Sequence, residues 1–223
     1  GPVVRHGANH RTDEPRAKRG RMTAHQFPVA RRLNAERIVL FGWSRAILLQ
    51  LAHPRIAAAV EHSSFRAGPV AAATRLRHTV KAMLALTFGG DAAREQALAG
   101  IRAIHRRVPG AEDPALVLWV HLTLLDSIPL IYERLVGTLT ARDRDAYCDE
   151  SAYVAIQLGA IPRDVPRDAQ RARQAFEATL ASGEVIVNDT ARALADAVLA
   201  PPLTRIIAAG TDRKSTRLNS SHT

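Results

Sequence analysis

Arg75, His78 and Thr79 are a set whose types and spacing could do chemistry. They stand at i, i+3 and i+4 in "AAATRLRHTVKAMLAL", so a helix projects them from one face. A guanidinium that keeps its charge can pair with a buried anion. An imidazole can ligate a metal or carry a proton, and a hydroxyl can donate or accept. The competing reading is a solvated stripe, which the neighbouring Arg77 and Lys81 support.

Four more histidines stand in apolar surroundings. His53 closes "LLQLAHP", and His62 follows Glu61 in "EHSSF". His105 continues the stripe Leu98, Ile101, Ile104 and Val108. His121 interrupts "LVLWVHLTLL". Any one alone reads as a core histidine bonded to a backbone carbonyl. Several in one core are harder to satisfy, because each neutral ring needs a partner once desolvated. An imidazole on the apolar face of a helix, turned to a cavity in an all-helical domain, is what a proximal haem ligand requires. A non-haem metal site built from His53, Glu61, His62 and His121 is the rival chemistry. A helical binding protein without a cofactor is the rival class. No HExxH, GxGxxG, P-loop or GxSxG is present. With Cys148 as the one cysteine, there is neither an internal disulfide nor a multi-cysteine metal site.

The elements that must position these residues read as helices. Aromatics are 4% of the chain, so Ala, Leu, Val and Ile must build the core, a composition that favours helix. Asn34 is expected to cap a helix through "AERIVLFGWSRAILLQLAH", loosened at Gly42. Pro54 restarts a helix, and Gly68-Pro69 opens the one carrying Arg75. Gly89-Gly90 ends that helix, and Asp91 is expected to cap the next, which Pro109-Gly110 stops. Asp113-Pro114 is an N-cap followed by proline at N1, opening the apolar stretch to Tyr132. Thr140 caps a helix that Gly159 ends, and two more follow at about 166–181 and 190–199. No stretch alternates strictly as a strand would. The reading is one all-α domain of seven or eight helices.

The chain's formal charge of +10 is concentrated in its ends. Residues 1–21 hold six basic and two acidic residues, and residues 212–223 hold three and one. Nucleic-acid binding, which clusters charge on one element, is therefore not expected. Residues 1–21 read as a disordered or non-native leader. Residues 22–211 read as the folded domain, and 212–223 as an adapter-like, artefactual tail that cuts the natural C-terminus short. The apolar run 115–132 is broken by His121, Asp126 and Pro129, so it reads as a buried helix, with no transmembrane segment expected. A cytoplasmic protein is the expectation.

Four ordered blocks carry a family likeness. They are "ERIVLFGWSRAILLQLAHPRIAAAVEHSSFRAGP", "RLRHT", "FGGDAAREQALAGIRAIHRRVPG" and "DPALVLWVHLTLLDSIPLIYERLVG". From about Arg32 to Pro202 the sequence resembles the rubber-oxygenase catalytic domain family. That family includes latex clearing protein and the endoplasmic-reticulum-bound oxygenase of fungal mycophenolic acid biosynthesis. The likeness is nearest to its short bacterial members. It implies a globin-like fold, a b-type haem held by a histidine, and the use of dioxygen on an isoprenoid-like double bond.

Carried over by position, the resemblance makes His105 the proximal ligand and metal-binding residue. Arg75, His78 and Thr79 become the distal face, with His78 standing where latex clearing proteins have a lysine. Glu61 corresponds to an acidic residue near the haem edge. His53, His62 and His121 are left as supporting or packing residues around the cofactor. The segment between His105 and Trp119 is short for the family. The expected function is a haem-dependent oxygenase-like protein whose partners are a small hydrophobic substrate and dioxygen. Arg75, His78 and Thr79 are expected to face a cavity that His105 also lines.

Overall fold

The computed structural model describes residues 27–63 and 69–199, without the side chains of residues 62, 63, 69–76, 197 and 198. The leader at 1–21 and the tail at 212–223 lie outside the described residues. Among the described residues there are nine helices and no strand. They are α1 (Pro28–Ala35), α2 (Val39–Leu51), α3 (Pro54–Ser63), α4 (Pro69–Phe88), α5 (Asp91–His105), α6 (Pro114–Leu135), α7 (Ala141–Gln157), α8 (Ala169–Ala181) and α9 (Asp189–Leu199).

The chain is all-α because its stop and start signals bracket apolar runs of helical length. Asp113 accepts from the Ala115 N–H at 2.9 Å, with Pro114 at N1, so α6 begins where an unmatched donor is filled and a missing one costs nothing. Thr140 and Asp143 form a reciprocal capping box on α7. Gly159, at φ +115°, ends α7 in a conformation that a side chain would oppose.

Helix α6 is the axis of the fold. It is apolar nearly all round and packs against α1, α2, α7 and α8. It is long and apolar enough to cross a membrane by length and composition, yet it supplies core residues Leu122, Leu125 and Ile128. Helix α2 lies closest to it. A Cβ on Gly42 would sit 3.2 Å from the Ile128 Cα and 3.3 Å from the Ser127 carbonyl oxygen. Gly42 therefore does not loosen α2; it lets two helix backbones meet. Polar ties cross the same seam. Gln50 donates to the Thr123 hydroxyl at 2.9 Å, and Arg45 bonds both Asp126 and Ser127.

Two expected caps differ. A separate helix, α1, precedes α2, so Asn34 lies inside α1 and caps nothing. Its amide donates to the Ala30 carbonyl and its oxygen accepts from the Trp43 indole. Gly90 in extended conformation is the N-cap of α5, and Asp91 falls in the first turn.

Helices α4 and α5 form a hairpin about Gly89-Gly90, locked from within by a buried guanidinium. Arg94 donates to the Leu86 carbonyl at 3.2 Å, the Gly89 carbonyl at 3.0 Å and Asp91 at 3.1 Å. Its guanidinium carbon lies 4.8 Å from the centre of the Phe27 ring. The turn's carbonyls, otherwise without partners at a helix end, are thus held by a charged donor.

Candidate functional site

The candidate residues sit on the two arms of this hairpin, at the α2–α3 corner, and on α3 and α6. His78 lies 11 residues before Gly89, and His105 lies 15 residues after Gly90. At 1.5 Å per residue they stand about 16 and 22 Å from the turn, His78 midway along α4 and His105 at the far end of α5.

His105 ends α5 and is half-buried. Its Nδ1 is buried and has no hydrogen-bond partner. Burial lowers the pKa of the ring, against a smaller opposing pull from Glu112, so the imidazole is neutral near pH 7. A desolvated imidazole nitrogen with no hydrogen-bond partner is suited to a metal or a hydrogen-bonding ligand.

Arg75, His78 and Thr79 share helix α4, as expected from their spacing. His78 and Thr79 are exposed, which corrects the expectation that this face turns into an enclosed cavity. The physical reason lies along the helix. Continued toward the C-terminus, the Arg75–Thr79 face becomes Met83, Leu86 and Thr87. There the helix is packed, with Val80 and Met83 against the main core cluster and Leu86 buried. Among the described residues of α4, packing follows directly on His78 and Thr79.

The remaining candidates are dispersed. His53 is buried between α2 and α3. Its Nδ1 accepts from the Arg55 N–H at 3.3 Å, which places the ring proton on Nε2, 3.8 Å from a Glu184 carboxylate oxygen. Glu61 is half-buried on α3. His62 follows it on α3, and its side chain, like that of Arg75, lies outside the described residues. His121 is buried in the middle of α6, and its Nε2 has no partner. Desolvation, with the charge of Arg167 adding to it, pushes its pKa down to about 4.

His121 lines a cavity of about 80 Å³ between α1, α4, α6 and α7. The sequence reading did not foresee this cavity. Its polar edge is Asn34 with Tyr147, Glu150 and Ser151, the last three at i, i+3 and i+4 on α7. That spacing was a legible signal of one face. What it could not show was that α1 and α6 meet the same face. Neither His78 nor His105 lines this cavity. It is also far below the ~300–1,000 Å³ of pockets that enclose larger ligands.

Among the described residues, no three His, Cys, Asp or Glu side chains gather as a metal site. His53, Glu61 and His121 are therefore not a shared ligand set. His105, like His121, has a buried nitrogen without a partner, and it stands at the end of a helix rather than in the middle of one. In donor chemistry that would suit a haem, which can take one imidazole from the protein.

The fold and these positions define an all-α domain with desolvated imidazoles set into a helical core. Residues 30–217 match the ER-bound oxygenase mpaB/B'/rubber oxygenase catalytic domain, and the chain belongs to that family. No curated protein and no solved structure matches it.

Proposed function

We propose that this chain is a haem-dependent oxygenase acting on a small hydrophobic, isoprenoid-like substrate, with His105 as the residue that holds the haem. Membership of an oxygenase family supplies the reaction class. The observation that carries the assignment within this chain is the buried, unpartnered Nδ1 of His105.

A bound haem would supply an iron centre at which dioxygen reacts. The chain's own residues take the other tasks. His105, kept neutral by burial, offers a nitrogen without first losing a proton. Arg75 keeps its charge at any working pH and suits the carboxylates of a propionate pair. His78 and Thr79, exposed beside it on α4, can exchange protons and hydrogen bonds with whatever approaches that face. Glu61 on α3 is a carboxylate available as a base. His53 is committed to the α2–α3 corner and holds that corner in place.

The test is reconstitution with haem, desalting, and the visible spectrum. The wild-type chain should retain a Soret band. His105→Ala should lose it, and His78→Ala should keep it at a shifted position. Retention by His105→Ala equal to the parent's would overturn the assignment.

A further inference from the structure

Helix α2 carries a stripe that is covered over only part of its length. Leu40, Ser44, Ile47 and Leu51 stand at i, i+4, i+7 and i+11, so they line one face of the helix. Over its C-terminal half this face packs on α9, where Leu51 and Ile47 join Ala191 and Leu194 in one core cluster. The Ile186 N–H donates to the Ala52 carbonyl at 2.9 Å, which pins the chain to the end of α2 just before α9 begins. From there α9 runs back along α2 toward its start. The described part of α9 ends at Leu199, about 8 Å past Leu194, and the stripe continues beyond it. Leu40 lies about 10 Å before Ile47 along α2. It is 49% exposed, and Phe41 beside it is 63% exposed.

The sequence after Leu199 has the chemistry to finish the cover. Pro201 and Pro202 are followed by Leu203, Ile206 and Ile207, at i, i+3 and i+4. The matched family domain runs to residue 217, so these residues belong to the domain. We propose that segment 203–207 docks Leu203, Ile206 and Ile207 on Leu40 and Phe41 of the same chain, extending the cover that α9 begins to the start of α2. Reach allows it, because α9 has already carried the chain most of the way and the four residues from Leu199 to Leu203 span up to about 13 Å. The chemistry of the patch agrees. Leu40 and Phe41 offer apolar surface, and the Ser44 hydroxyl between Leu40 and Ile47 is already bonded to the Leu40 carbonyl at 3.0 Å, so the patch calls for apolar cover rather than a charged partner. The tether decides between occupants. A segment joined a few residues away acts at an effective concentration on the order of millimolar, which a second copy or a lipid surface would have to match. The patch is separate from His105, and its cover does not depend on haem.

The test pairs Leu40→Cys, in the full chain, with Leu203→Cys, Ile206→Cys or Ile207→Cys in turn. Cys148 is buried and stays in place. Each pair is oxidised at low protein concentration, and the crosslinks are mapped by mass spectrometry. At least one pair should close a disulfide within a single chain, roughly tenfold or more faster than Leu180→Cys with Ile206→Cys. Leu180 is exposed on α8, whose Phe176 clusters with Leu49 toward the other end of α2. A second measurement follows the reaction of the Leu40→Cys variant with a maleimide. Adding Leu203→Ser, Ile206→Ser and Ile207→Ser together should raise that rate about fivefold or more. If a paired variant does not fold, this comparison decides. Crosslinks formed only between chains, rising with protein concentration, would overturn the proposal in favour of a second copy. A maleimide rate unchanged by the serine replacements would also overturn it, and if vesicles of anionic phospholipid alone lower that rate, the cover is a lipid surface.

Discussion

Acid should destabilise this fold through His121 in a defined window. The ring is held neutral in the folded chain, with its pKa lowered from 6.5 to about 4. In the unfolded chain it titrates near 6.5. Between those values the unfolded state binds more protons than the folded state, so stability rises with pH. The contribution is complete above pH 6.5 and is lost as pH falls toward 4. The gap of about 2.5 pH units, at about 1.4 kcal/mol each, makes the full loss about 3 kcal/mol. At pH 4.5 most of it, about 2–3 kcal/mol, is already gone. His121→Gln removes the titration and keeps a polar group in place. Urea unfolding followed by far-ultraviolet circular dichroism, at intervals from pH 7.5 to 4.5, measures the difference. With a urea slope of about 2 kcal/mol per molar, the wild-type midpoint should fall by about 1 M more than the variant's. His105 also titrates low for reasons of burial, but it is common to both proteins and cancels. Parallel curves for the two proteins across the window would refute the reasoning.

Two further outcomes follow from packing. Arg94→Met keeps an apolar stem but leaves the Leu86 and Gly89 carbonyls without their charged donor; it should cost about 2–4 kcal/mol, read as a urea midpoint lower by about 1–2 M. Gly42→Ala places a methyl against the α6 backbone at Ile128 and Ser127. The clash, on the order of 1–3 kcal/mol, outweighs the roughly 1 kcal/mol gain in helix propensity, so thermal unfolding should move down rather than up.

The parts of this fold that were legible in the sequence are those set by neighbours in the chain. Asp113-Pro114 announces α6, Thr140 announces α7, and Gly159 ends it, because each signal acts within one turn of helix. The family likeness was legible too, through four ordered blocks. What escaped the reading depends on contacts between distant residues. Asn34 has the chemistry of a cap, but Trp43 and Ala30 claim its side chain. Arg94 looks like a surface residue until Phe27 and the turn carbonyls close around it. The shared face of Arg75, His78 and Thr79 was correct as periodicity. Periodicity does not say how far along a helix its packing extends: on α4, Arg77, His78 and Thr79 are exposed while Val80 and Met83 pack against the core. The His121 cavity draws on four helices, which no local pattern brings together.

The central claim is that His105 supplies the nitrogen that holds a haem, and chemical rescue tests it most directly. His105→Gly removes the imidazole and leaves room where it stood. After reconstitution with haem and desalting, this variant should show no Soret band, and adding free imidazole during reconstitution should restore one close to that of the wild type. His121→Gly treated identically should bind haem as the parent does, with or without imidazole. A Soret band in His105→Gly before imidazole is added, at wild-type intensity, would contradict the account.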